Sequence, residues 1–586
     1  MAFPLRVSKG PPLSASDAGP VLAYHERTQH HLHRYAAGPE ALDWDAQPQP
    51  FRRYPGSERL RLPWLDEAYP ARAAWLSRPL GNGSETIEAA PFDLSSLGAL
   101  LALALGVTGW KSLGVDRWAV RANPSSGNLH PVEAYFVVQR GYDLVPGVYH
   151  YCPEDHALER RALFPTNGAD NTTRGMDSAP KETDSASAYL ALSTVPWRET
   201  WKYGERAFRY CQLDVGHAEA ALSVAACLLG WQLTPSSVAT ADLGRLLGLD
   251  REQDFPLTAL GHSEQEEPEL LLKVETLGSA KRASNDCLGG AQLDALLAKA
   301  HFFGKANRID PHPLYSWRVV GEIIAATRNR SPTTSPRRQA APHQPKTNDL
   351  QKLPAMTRSF AELALHRRSA QRFDKSYVLP ATGFAAILGA LHHPERWGVS
   401  LDAEIGGDSA PLDLVLWIHR VEAKEPGVYY LNRSGASSVL LQELKKNWQL
   451  VALGEHLYRI ATPPSRALAA QARMLHCHQD IASTSCLTLG MLFDFEKLAD
   501  KPGYCYRQAI RQAGRMGHAL YLAAEQLGLR ATGIGCFFDS AVRETLRLSQ
   551  GRHSSLYHLS IGQGLDDSRI ESSDPYPERS PLQFSK

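Results

Sequence analysis

The chain has 586 residues, of which 43% are hydrophobic and 21% charged, a balance that excludes a disordered, collagen-like or coiled-coil protein. Its 63 Lys+Arg and 62 Asp+Glu leave a formal net charge of +1, so no electrostatic footprint for nucleic acid or an anionic membrane surface is present. At roughly 150 residues per domain the length suggests two to four domains, enough chain to bury large cores without staples.

Residues 1–12 contain no apolar run, so no secretory signal is expected. The most apolar stretch, Leu97 to Val107, is 11 residues long. That falls short of the ~20 needed to span a membrane and reads as a buried core helix. A loop from Asn123 to Pro131 then leads into an apolar strand over 134–139. Pro124, Ser125, Ser126 and Asn128 present compact polar groups, and Gly127 permits close approach of a ligand. Such a loop suits the polar edge of a flat heterocycle, or is an ordinary entry into a strand. Residues 166–187 are polar and predict a mobile surface loop, and 189–193 a strand. Trp201 to Tyr210 predicts the start of a helix in which Lys202 and Tyr203 are adjacent. Both can move protons if burial or a neighbouring charge lowers their pKa values; otherwise they are a surface Lys beside a half-buried Tyr. An apolar helix over 218–233, a loop at 234–238 and a strand at 257–260 complete this half.

A Pro-rich polar segment over 328–354 reads as a linker. Beyond it, Arg367, Arg368, Ser369, Gln371 and Arg372 form a cluster suited to phosphate, Arg supplying planar forks of donors and Ser a hydroxyl; the other reading is a solvated basic face. Strands are expected at 414–419 and 486–492, and an apolar helix over 519–529. The following Gly533, Ile534 and Gly535 form a loop whose N–H groups can reach a ligand, or a helix cap. A strand at 556–561 closes the half.

Long-range recurrence is the strongest organisational signal. Pro146–Tyr149 returns as Pro426–Tyr429 at an offset of 280, and Gly216-His217-Ala218 as Gly517-His518-Ala519 at an offset of 301. The chain reads as two copies of a domain of about 250 residues, over 1–327 and 355–586. Mixed strands and helices in each copy predict a sheet covered by helices on both faces. The eight cysteines form no CxxC pair, which fits reduced thiols and a cytoplasmic protein. His476, Cys477, His478 and Asp480 lack a zinc spacing, so no metal is expected.

Residues 24–56, 123–138, 146–151, 201–217, 520–542 and 555–570 together resemble the nitroreductase-like flavoprotein family. The nearest likeness is to its SagB/ThcOx branch of FMN-dependent azoline dehydrogenases. The resemblance implies an α+β fold, here two tandem nitroreductase-like domains, each a mixed sheet between helical layers, forming an intramolecular pseudo-dimer. It implies FMN bound where the two domains meet. The family's Arg-x-Ser-x-Arg/Lys phosphate motif falls on Arg367 and Ser369, with Gln371 departing from it and Arg372 one place later. Glu26, Arg27 and Thr28 occupy the same register in the first half, where a carboxylate repels phosphate. Gly533 and Gly535 have Pro235 and Ser236 as first-half counterparts. The ring-facing loop is complete only at Pro124–Asn128; Gly406–Pro411 lacks the Asn and adds Asp408. The Lys202–Tyr203 pair has no Lys in its counterpart, Gly503–Arg507. One FMN site built across the halves is therefore expected, with Arg569 a further phosphate candidate. The resemblance implies oxidation of a thiazoline or oxazoline to a thiazole or oxazole, with Lys202 and Tyr203 handling the proton. The substrate would be a peptide or carrier-bound heterocycle, and a cyclodehydratase or carrier protein a partner. An FMN oxidoreductase acting on another small substrate, or a non-catalytic scaffold, are the other readings.

Overall fold

A computed structural model describes residues 19–65, 89–164, 187–257, 264–276, 290–310, 313–330, 357–392, 411–435, 438–454 and 456–578, with a few short pieces between them. The expected loop at 166–187 and nearly all of the expected linker lie outside the described residues.

Two large sheets organise the chain. Across the first, the strands run 301–302, 157–163, 147–152, 132–140, 187–194, 267–276 and 231–235. Across the second they run 451–452, 457–461, 427–431, 413–418, 487–494, 553–562 and 530–534, the same order of elements. The resemblance implied mixed sheets; every pairing within these two is antiparallel, because short hairpins join neighbours such as 132–140 and 147–152.

Strand alternation sets the layers. Phe136, Val138, Leu190 and Leu192 face the apolar helices Leu94–Leu105 and Ala207–Leu228. Tyr135, Val137 and Ala191, one residue out of phase, pack with Leu243, Leu246, Leu247 and Leu293 on the opposite face. In the second sheet Leu414, Leu416 and Ile418 join the central core, while Val415 and Trp417 meet Leu440, Leu444, Leu468 and Leu475. The fold is α+β, each sheet lying between helical layers.

The two sheets meet through a pair of long helices, Ala207–Leu228 and Tyr504–Gln526. Glycine permits their approach. A Cβ on Gly216 would lie 2.2 Å from the Arg511 carbonyl oxygen, and one on Gly514 2.2 Å from that of Leu213. Both glycines of the repeated Gly-His-Ala lie at this crossing, and a Cβ on Gly517 would fall 2.8 Å from His217 Cε1 of the other helix.

Three expectations are displaced. The strand closing the first half is Glu267–Thr276, not 257–260; Leu257 is exposed and 258–260 lie outside the described residues. The charged Glu267-Pro-Glu start hid it, since those carboxylates are buried in ion pairs that the sequence does not reveal. The expected loops at 234–238 and 532–536 begin inside strands, Trp231–Pro235 and Arg530–Ile534, each entered through a left-handed glycine, Gly230 and Gly528, and only their later residues are loop. Lys202 and Tyr203 close the helix Pro196–Tyr203 rather than open one. Among the described residues, no helix is long and apolar enough to cross a membrane.

Candidate functional site

A cavity of about 1070 Å³ opens between the two sheets' helices and draws its lining from both halves. That is at the upper end of small-molecule sites. Pro124, Ser125, Ser126, Gly127, Asn128, Lys202 and Tyr203 line it from the first half; Arg367, Arg368, Ser369, Gln371, Gly533, Ile534 and Gly535 line it from the second. Arg372 and Arg569 do not line it. Arg569 is exposed and paired with Asp567 (2.7 Å), so it neutralises an acid of the cavity rim.

At one end the wall is cationic, with Lys111, Arg367, Arg368 and Arg530 against Asp566 and Asp567. Here the Arg cluster differs from its expected use. Arg368 donates to the Thr108 hydroxyl and carbonyl and to the carbonyls of Leu365 and Arg367. Burial, then Arg367 and Arg530, push its pKa down to about 10. Arg367 donates from Nε to the Ala122 carbonyl (2.8 Å) and from Nη2 to that of Arg121 (2.9 Å). Both side chains therefore tie the second half to the hairpin 107–121. Arg367 Nη1 remains buried with no hydrogen-bond partner, as does the neighbouring Arg121 Nε. The Ser369 hydroxyl lies 2.9 Å from the Tyr521 hydroxyl, which accepts the Gly533 N–H at 2.8 Å. That N–H is thus engaged internally. The two glycines serve packing: a Cβ on Gly533 would lie 1.7 Å from the Tyr557 hydroxyl, and one on Gly535 1.9 Å from Tyr210 Cε1.

The other end is polar and aromatic. Gly127 has φ +60°, and a Cβ there would lie 2.6 Å from the Tyr203 hydroxyl and 3.3 Å from Lys202 Cδ. Loop and pair are thus in direct contact. Tyr203 lies against Tyr210, ring centroids 4.2 Å apart. Asn128 donates to the Ala119 carbonyl (2.9 Å), and the Ser125 hydroxyl accepts the His130 N–H (2.8 Å), so both brace the loop.

Burial lowers the Lys202 pKa against the opposing pull of Glu199, which favours a neutral amine. Tyr203 moves the other way: burial, then Glu199 and Tyr210, hold its phenol protonated. It can donate a hydrogen bond or proton but is no base, unlike the sequence expectation.

Two carboxyls escaped the sequence reading. Asp214, on the first long helix, lines the cavity and accepts the Ser126 N–H (3.0 Å) and hydroxyl (2.8 Å). Burial raises its pKa to about 7 despite those bonds. Glu199 is fully buried, neither oxygen has a partner, and burial, then Asp214, raises its pKa well above the ordinary value. A carboxyl one helical turn before Lys202 was visible in the sequence, but its burial was not.

On the equivalent face of the second long helix, the 301-residue offset sets Arg511 and Arg515 against Tyr210 and Asp214. Arg511 pairs with Glu269, Arg507 with Glu267 (2.8 Å) and Glu269 (2.7 Å), and Arg515 with Glu219 (3.1 Å). Arg27 makes two 2.7 Å bonds to Glu205. These positions of the second helix are therefore engaged in ion pairs within the protein.

Residues 364–563 match the profile of the Nitroreductase family. A Methanocaldococcus jannaschii protein, "Putative nitroreductase MJ1384", is 32% identical over 142 residues, covering 24% of this chain and 66% of that protein's length. The crystal structure of a putative nitroreductase from Anabaena variabilis superposes with a TM-score of 0.62 at 19% identity, covering 93% of this chain and 99% of that one. That likeness spans both sheets and concerns the fold. Residues 364–563 are thus a Nitroreductase family domain, and the structural likeness gives the chain that structure's fold.

Proposed function

We propose that the protein is an FMN-dependent dehydrogenase that oxidises a thiazoline or oxazoline to a thiazole or oxazole. Three features support FMN as the cofactor. The unpartnered Arg367 Nη1 lies at the cationic end, fit for a phosphate oxygen. Tyr203, Tyr210, Tyr521 and Tyr557 form apolar walls for a flat ring. The Pro124–Asn128 loop offers Ser and backbone groups to the ring edge. Bound there, flavin supplies the two-electron acceptor.

The observation that carries the reading is the contact of Gly127 with both Lys202 and Tyr203, which sets a proton-handling pair against the ring-facing loop. Lys202, its pKa lowered, accepts the proton of a substrate carbon made acidic by the adjacent imine and carbonyl. Tyr203, held neutral, hydrogen-bonds the heterocycle and orients it.

The test is Lys202→Ala, assayed for bound flavin by absorbance and for azole formation by mass loss of a thiazoline peptide. Retained flavin with azole formation reduced ~100-fold or more supports the reading. Unchanged turnover removes Lys202 from the proton step. NAD(P)H-driven reduction of a nitroaromatic without azoline oxidation would assign the site to another small substrate. A parent protein that binds no flavin would make the chain a scaffold.

A further inference from the structure

The cavity's rim carries a second chemistry that the flavin reading does not use. Cys477 and Cys536 both line it, and their sulfurs lie 2.7 Å apart although the residues are 59 positions apart in the chain. Both are partly exposed, whereas Cys152, Cys211, Cys486 and Cys505 are buried. The backbone holds the pair together: Gln479 Nε2 donates to the Cys536 carbonyl (3.1 Å) and the His476 carbonyl (3.0 Å), and the Phe538 N–H to the Leu475 carbonyl (2.8 Å). Cys477 and His478 are consecutive left-handed residues, φ +53° and +61°, a conformation that side chains resist and that surrounding structure must impose.

The surroundings distinguish the two sulfurs. Cys536 is faced by His30 and by Arg206, whose Nη2 donates to the Gly535 carbonyl (3.0 Å). Cys477 is faced by Tyr35 and feels both Arg206 and Asp539. The hydrogen bond from Cys477, with His30 and Arg206, draws the Cys536 thiol down to about 5, and the same bond with burial raises that of Cys477. The two sulfurs share a hydrogen bond, and His30 and Arg206 favour negative charge on Cys536.

We propose that Cys477 and Cys536 form a redox-active dithiol that closes reversibly to a disulfide at the cavity rim, with Cys536 the attacking and Cys477 the resolving sulfur. The oxidant is a low-molecular-weight disulfide. The Cys536 thiolate attacks one of its sulfurs, the S–S bond breaks, and one thiolate leaves, giving a mixed disulfide on Cys536. Cys477 then gives up its proton and attacks the Cys536 sulfur, forming the Cys477–Cys536 bond and expelling the second small thiol. The protein loses two electrons and one proton; the small disulfide becomes one thiol and one thiolate. Closure removes a negative charge from the rim and locks the loop 476–479 to the segment 535–538. The pair does not depend on the substrate proposed above.

The test uses the full chain equilibrated with glutathione and glutathione disulfide, alkylated, digested and analysed by peptide mass spectrometry. Cys477 and Cys536 are expected to lose alkylation together and to appear as one cross-linked peptide. Cys477→Ser should hold a stable glutathione adduct on Cys536. Cys536→Ser should slow modification of Cys477 at neutral pH by about tenfold or more. Equal alkylation of both thiols under reducing and oxidising conditions would overturn the proposal. So would a glutathione adduct that persists on Cys536 in the native chain, because Cys477 would then fail to resolve it.

Discussion

Asp214→Asn should stabilise this protein at alkaline pH while leaving it nearly unchanged in mild acid. The Asp214 carboxyl is buried to 1% exposure and titrates near 7 rather than near 3.8. At about 1.4 kcal/mol per pKa unit, ionising it in the folded chain costs about 4 kcal/mol relative to the unfolded chain. Between pH ~4 and ~7 the folded protein keeps a proton that the unfolded chain has released, so stability falls as pH rises and levels off above 7. Asparagine can keep both bonds, because the Ser126 N–H and hydroxyl donate to the same oxygen, Oδ1, which the amide retains. The variant, which cannot ionise, should gain about 4 kcal/mol at pH 8 and about 1 kcal/mol at pH 4.5. Urea midpoints of parent and variant at both pH values, in the same cofactor state, provide the assay. Burial and then Asp214 raise the Glu199 pKa, so the variant eases Glu199 ionisation and this adds to the gain at alkaline pH. A gain that does not grow with pH, or a loss at both, would refute the assignment of a strained, protonated Asp214. The carboxyl's cost is of the kind that functional sites carry at the expense of stability.

Asp539 accepts the His30 N–H (2.9 Å) and pairs with Arg206 (3.0 Å) and Arg209 (3.3 Å), all buried, and so joins the two halves. Asp539→Ala leaves two guanidinium groups uncompensated and should cost about 3–5 kcal/mol at pH 7, read from denaturant midpoints. The two Arg hold the Asp539 carboxyl well below the ordinary range despite burial. Its contribution is therefore present above pH ~4 and fades as pH falls toward the folded value, so the variant's deficit should shrink in acid. Gly535→Ala would drive a methyl into the Tyr210 ring and, through it, displace Tyr203. Overpacking of this kind costs about 1–3 kcal/mol, and bound flavin measured by absorbance should fall; an unchanged flavin content would show that the Tyr210–Tyr203 stack does not shape the ring end.

Much of the architecture was legible locally. Apolar runs at 134–139, 189–193, 414–419 and 486–492 are strands within two residues of their expected bounds, because side chains buried on both faces of a sheet leave a continuous apolar signature. The long helices end at Leu228 and Gln526, short of the expected 233 and 529, because the left-handed Gly230 and Gly528 turn the chain into the next strands. The strand Glu267–Thr276 was not legible, since its charged start looks exposed until Arg507 and Arg511 arrive from 238 to 242 residues away.

For the site, residue type left Pro124–Asn128, Lys202–Tyr203 and Arg367–Ser369 each open to an ordinary reading, the family resemblance joined them, and all line one cavity. Residue type did not settle what each does. Arg368 and most of Arg367 satisfy carbonyls of a hairpin 245–260 residues away. Arg569 answers to Asp567, and Asp214, Glu199 and the Cys477–Cys536 pair emerge only where helices and loops pack. Backbone preference and apolar periodicity are properties of a few neighbouring residues and can be read from the chain. Desolvation, charge pairing and the meeting of two sulfurs are properties of distant groups brought together, and only the packed molecule determines them.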